Sequence, residues 1–130
     1  MRLSEYEVRR RTVLDRILKL LSGVPWVEGG TFSWLVGPNN EFLSLDLFFP
    51  DLPLAVDVYD EYHRPWEQVK SCIEKPIWEY LRAQEAVKMN VLNKLKIPYL
   101  QVYWDDPISE SWLQMRLDQI LRRNRSVSSG

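Results

Sequence analysis

Asp46-Leu47-Phe48-Phe49-Pro50, Asp51-Leu52-Pro53 and Leu54-Ala55-Val56-Asp57-Val58-Tyr59-Asp60-Glu61-Tyr62-His63 follow one another without interruption. Two apolar, β-prone runs flank a proline-bounded turn, so the stretch reads as one strand handing over to the next. Each run carries a carboxylate where a strand would ordinarily place an apolar side chain. Asp46 lies between Leu45 and Leu47, and Asp57 between Val56 and Val58. A charge carried into a buried strand costs on the order of several kcal/mol unless it is paired or holds a metal. Two such anomalies on neighbouring strands imply a common purpose.

Before this stretch, Thr31 to Val36 alternates Phe32, Trp34 and Val36, the period of a strand, and Gly37-Pro38-Asn39-Asn40 is a turn. Glu41 to Phe49 is then the second strand of a hairpin. Its pleat predicts Leu43, Leu45, Leu47 and Phe49 on one face, with Phe42, Ser44, Asp46 and Phe48 on the other. Leu54 to Tyr59 is the third strand, with Ala55, Asp57 and Tyr59 sharing a face. Nearer the start of the chain, Ser4-Glu5-Tyr6-Glu7 is a capping box. The helix it opens runs to about Leu21 on a stripe of Val13, Leu14, Ile17, Leu18 and Leu21, and Gly23 with Pro25 ends it. Leu3, Tyr6, Glu7 and Arg10 continue the stripe, which puts Glu7 at the edge of the inward face beside the Arg9-Arg10-Arg11 cluster.

Beyond His63 the chain is polar and aromatic to Glu74 and reads as a loop or short irregular helix tacked to the core by Cys72 and Ile73. Lys75-Pro76 opens a long helix. Its stripe is Ile77, Tyr80, Leu81, Val87, Val91, Leu92 and Leu95, and Gln84 and Lys88 fall in the middle of it. Ile97-Pro98 closes that helix, Tyr99 to Trp104 is a fourth strand, and Ser109 caps a last helix ending at about Arg122. The third and fourth strands, joined through a helix, should run parallel by a right-handed crossover. The expectation is a single α/β domain over residues 1–123, in the order α-β-β-β-α-β-α, with a mixed four-stranded sheet flanked by helices and a flexible tail over 124–130.

Composition narrows the function. The 130 residues suit one domain, and 17 basic against 18 acidic side chains leave a net charge of −1. Any nucleic-acid binding must therefore use local patches. The single cysteine, Cys72, excludes an internal disulfide and a cysteine-built zinc site. Charges stand where a signal peptide needs an apolar core, and no run reaches membrane-spanning length. An intracellular, cytoplasmic protein without a membrane partner is expected.

The element order, with Asp46 and Asp57-Val58-Tyr59 on the second and third strands, resembles the PD-(D/E)xK nuclease superfamily, the restriction-endonuclease-like proteins. The "AVDVYDEYH" segment and "KIPYLQVYWDD" look most like its small very-short-patch-repair-type branch. The resemblance implies a metal-dependent endonuclease that hydrolyses phosphodiester bonds of DNA in repair, recombination or restriction, encoded by a phage or mobile element. It also implies a homodimer as the candidate assembly. Asp46 takes the place of the first motif acid and Asp57 that of the second, both as oxygen ligands to Mg²⁺ or Mn²⁺. The motif lysine belongs two residues after Asp57, and Tyr59 stands there instead. The resemblance offers Lys88, one helical turn from Gln84, as a relocated lysine, His63 as a general acid or base, and Glu7 as a further metal carboxylate.

Plainer readings stand beside these. Lys88 can bury its stem and send its ammonium to water, Gln84 can satisfy a backbone group, His63 can be an exposed loop residue, and Glu7 is already explained by the capping box. Trp66 and Tyr62 can pack, or touch DNA bases. Tyr59 in place of lysine also admits a nuclease-like module that binds DNA or protein without catalysis. An unrelated α/β domain with an aromatic pocket is the third alternative, marked by Asp46 and Asp57 lying far apart.

Overall fold

The computed structural model describes residues 4–129, with side chains described through Arg122; Leu3 and Gly130 lie outside the described residues. Ser4 Oγ accepts from the Glu7 amide at 3.1 Å and starts α1 (Glu5–Leu20). Next come β1 (Val27–Glu28), β2 (Thr31–Val36), β3 (Phe42–Ser44), β4 (Leu47–Phe49) and β5 (Leu54–Val58). A 3-10 turn over Glu61–His63 leads into the short α2 (Trp66–Val69), then α3 (Lys75–Lys94), β6 (Tyr99–Val102) and α4 (Glu110–Ser129). The backbone of α4 continues past the expected end near Arg122.

The main sheet has the order β1-β4-β5-β6, mixed as expected: β4 is antiparallel to β5, and β5 is parallel to β6 through the α3 crossover. Among the described residues, no helix is long and apolar enough to cross a membrane. One face of the sheet packs Leu47, Phe49, Val56, Val58 and Leu100 on Val13, Leu14 and Ile17 of α1 and on Leu113 and Leu117 of α4. The other face packs Ala55 with Leu35, Leu43 and Leu45 and with Leu92 of α3.

The expected single strand from Glu41 to Phe49 is two strands, which corrects the predicted pleat. Leu43 and Leu45 face α3, whereas Leu47 and Phe49 face α1 and α4. The chain inverts its faces at Asp46, which belongs to neither strand. β3 pairs with β2 in a separate two-stranded sheet, and β4 joins the main one. The physical cause is at Asp46 itself, whose amide and carboxylate both bond to the Asp57–Val58 segment and so displace regular backbone pairing there.

Three further expectations are corrected. Ile77 and Leu95 are half exposed, because the buried line of α3 passes through Glu85 and Leu92 rather than along the predicted stripe. Cys72 is exposed, and it is Val69 that anchors the segment after His63. Trp104 lies beyond the end of β6 with its side chain partly in solvent.

Candidate functional site

Asp57 and Glu85 are the two buried polar or charged residues among those described, exposed by only 4% and 7%. The site is built around them. Register places Leu47 opposite Val56, so Asp46 and Asp57 are the next pair along the β4–β5 ladder. Asp57 Oδ1 accepts from the Asp46 amide at 2.9 Å, and Asp46 Oδ2 accepts from the Val58 amide at 2.8 Å. The two acids are therefore locked into each other's strand. Their remaining oxygens lead to opposite sides of the sheet. Asp46 Oδ1 meets Arg10 Nε of α1 at 3.0 Å, and Asp57 Oδ2 meets Lys88 Nζ of α3 at 2.9 Å.

The pair Asp57–Lys88 is nearly dry, with side chains 6% and 14% exposed. Burial raises the Asp57 carboxyl above its usual range; the Lys88 ammonium pulls it back and the nearby Asp46 charge adds to the rise. Asp57 Oδ2 also accepts from the Tyr99 hydroxyl at 2.5 Å, and the Tyr99 and Tyr59 hydroxyls bond to each other. A phenol has one proton to give, so Tyr99 donates to Asp57 and Tyr59 donates to Tyr99. Both phenols are pushed far up, first by burial and then by the Asp57 charge, which keeps them neutral donors. Gln101 Nε2 extends the network to Tyr59 Oη at 3.5 Å and to Glu85 Oε1 at 3.3 Å. Tyr103 Oη completes it with a donation to Glu85 Oε1 at 2.7 Å. The other Glu85 oxygen is buried without a hydrogen bond, 3.6 Å from an Arg82 guanidinium nitrogen.

The network explains Tyr59. Burial and hydrogen bonds with the Tyr99 hydroxyl and the Gln101 amide hold it inside the protein, with its ring stacked on Tyr103 at 5.2 Å. The ammonium beside Asp57 comes instead from Lys88, on the α3 helix that the crossover lays over β5.

The other sequence candidates are placed differently. His63 is close by but indirect: its Nδ1 lies 3.0 Å from Asp60 Oδ1, and its ring lies 4.3 Å from that of Tyr59. Gln84 sits beside the Glu41 carboxylate, which the Tyr80 hydroxyl holds below the usual range, and not beside Asp57. Glu7 is exposed on α1, its amide capped by Ser4, and no contact joins it to the acid pair.

Four participants escaped sequence reasoning. Glu85 carries a signal in hindsight: it lies four residues after Leu81, seven before Leu92 and three before Lys88, on one helical line. Arg10, Tyr99 and Gln101 carry none, because their roles depend on how α1 and β6 dock.

A cavity of about 400 Å³ opens at the carboxyl ends of β5 and β6, between the start of α1 and the Tyr59–Tyr62 segment. Tyr6 in its wall donates to the Val58 carbonyl at 2.8 Å. In α/β sheets this end of the parallel strands is where ligands ordinarily bind.

The carboxylate oxygens of Asp46 and Asp57 are of the type a hard divalent ion takes, but they lie toward opposite sides of the sheet and each already accepts from an amide, guanidinium, ammonium or hydroxyl that an ion would have to displace. Among the described residues, no three His, Cys, Asp or Glu side chains gather as a cage. Mg²⁺ does not need one, since one or two carboxylates, water and substrate phosphate commonly complete its shell. Comparison with protein-family models, with curated proteins and with solved structures found no match to this chain.

Proposed function

We propose that the chain is a restriction-endonuclease-like DNA endonuclease that requires Mg²⁺ or Mn²⁺, with Asp57 and Lys88 at the centre of its site. The observation that carries this reading is the Lys88 ammonium 2.9 Å from Asp57 Oδ2, on a face where the motif lysine has been replaced by Tyr59. A buried ion pair of this kind is poor stabilisation, because desolvation offsets most of its attraction. Its presence in a central strand is better explained by chemistry.

Asp57, whose Oδ2 lies on the α3 side of the sheet, would hold the ion, which when bound neutralises charge on a phosphate and acidifies a water; Asp46, turned to Arg10 on the other side, would not reach it. Lys88 Nζ offsets charge that develops on the phosphate. Tyr99 and Tyr59, as neutral donors, fix Asp57 Oδ2 against rotation. Arg10 holds the Asp46 carboxylate in register with β5.

A second reading has its own observation. Arg10 and Lys88 already neutralise both acids, as suits a nuclease-like module that binds DNA or protein without cutting. One experiment separates them: cleavage of supercoiled, branched and mismatched DNA in Mg²⁺ and Mn²⁺ by wild type, Asp57→Asn and Lys88→Met, with folding checked by circular dichroism. The nuclease reading expects metal-dependent nicking that both substitutions reduce at least ~100-fold, in line with losses of transition-state charge stabilisation. Equal cleavage by Asp57→Asn, or none by wild type on any substrate, rejects it.

A further inference from the structure

We infer that the cavity at the carboxyl ends of β5 and β6 is the seat of one unstacked nucleobase. The substrate class is then DNA with an extrahelical or single-stranded nucleotide beside the scissile phosphate. This rests on the nucleic-acid reading above and adds what that reading leaves open.

Size comes first. About 400 Å³ is far more than a water needs and lies in the range of small-ligand sites, ample for a base and its sugar. Walls come second. Tyr6, Tyr62 and Trp104 line the cavity, and Tyr59 adjoins them. Trp104 is 38% exposed, and the Arg64 guanidinium lies 5.3 Å from its ring centroid. Arg64 covers one face of the indole, and the ring so held is a stacking platform on its other face for a base whose phosphate stays outside.

The polar groups agree. Glu5, Asp60 and Glu61 line the cavity together with Arg9, whose guanidinium is engaged by the Tyr103 and Asp106 carbonyls. Carboxylates accept from the exocyclic amino groups of cytosine, adenine and guanine, and they repel phosphate. The cavity therefore admits the uncharged base and turns the backbone outward, toward Arg64. A base that is paired and stacked in a duplex cannot enter. The seat is also coupled to the acids, because Tyr59 reaches the Asp57 carboxylate through the Tyr99 hydroxyl.

The test uses the full chain without divalent metal, so that no DNA is cut. Tryptophan quenching and fluorescence anisotropy are measured with a short single-stranded oligonucleotide and with the perfect duplex of the same sequence. Single strand is expected to bind about tenfold more tightly than duplex. Trp104→Ala should weaken single-strand binding about tenfold while leaving duplex binding unchanged, and Trp104→Tyr should restore most of it. Equal affinity for the two DNAs, or no effect of Trp104→Ala, overturns the inference. So does quenching by an arginine- and lysine-rich peptide with none by single-stranded DNA, which would assign the cavity to a cationic side chain. Failure here is distinguishable from failure of the nuclease reading. Cleavage that needs Asp57 but ignores Trp104 removes the base seat alone; base binding with no cleavage of any DNA removes the nuclease alone.

Discussion

Replacing Lys88 with methionine should turn the Asp57 site from a compensated pair into an isolated buried charge. Asp57 is 6% exposed at its side chain and would keep its bonds from the Asp46 amide and the Tyr99 hydroxyl, but no cation. Breaking one half of such a pair costs about 3–5 kcal/mol, a large share of the roughly 5–15 kcal/mol that holds a domain together. The loss should depend on pH. The Asp57 carboxyl is already raised by burial, and removing the ammonium that opposes this raises it further. Between its unfolded and folded pKa values the folded state then binds more protons than the unfolded one, so stability falls as pH rises through that window. Each pH unit inside the window is worth about 1.4 kcal/mol. Lowering the pH toward the ordinary carboxylate range should therefore return most of the lost stability.

The double change Asp57→Asn with Lys88→Met removes both charges and should lie within about 1 kcal/mol of wild type near neutral pH. Urea denaturation of the four proteins across acid to neutral pH, with slopes compared to confirm a common transition, gives the coupling directly. If Lys88→Met costs less than about 1 kcal/mol, or the two single losses simply add, the ion pair does not form in solution.

Tyr99→Phe removes the donor to Asp57 Oδ2 and strands the Tyr59 hydroxyl, so it should cost about 1–3 kcal/mol in urea and raise the Asp57 titration followed by carboxyl NMR; an unchanged titration would dissociate Tyr99 from the carboxylate. Gly37→Ala would drive a Cβ into the Glu41 carboxylate and to 2.8 Å from Leu43 Cδ2, so the β2–β3 turn should lose about 1–3 kcal/mol of stability, and a neutral result would show that Glu41 yields freely despite its Tyr80 bond.

What sequence reasoning could reach was local. Ser4 capping α1, the alternation of β2, the apolar β5 and the proline that opens α3 are each decided within a few residues, and the parallel β5–β6 pair follows from chain handedness. The anomaly of two acids in apolar strands located the β4–β5 pair, where the carboxylates are indeed linked through backbone amides. Non-local matters were hidden. Asp46 lies in a strand-like run of alternating leucines, so nothing nearby announces that the pleat inverts there; the inversion exists because the Asp57–Val58 segment, eleven and twelve residues on, offers better partners. Glu85 was passed over because a glutamate on a helix is ordinarily solvated, and only the arrival of Gln101 and Tyr103 from β6 makes its burial tolerable. Trp104 was expected within the fourth strand because the apolar run was extended past the point where β6 stops.

The crossing at Asp46 has a consequence for how this chain can vary. Elsewhere a strand that slips by one residue exchanges its two sides uniformly. Here the segment serves two opposed hydrophobic interiors in succession, Leu43 and Leu45 for one, Leu47 and Phe49 for the other. A residue gained or lost between Phe42 and Phe49 would misplace the leucines of one interior whichever side absorbed it. Length changes should therefore be confined to the turns on either flank, and the eight residues between them inherited as a block of constant length.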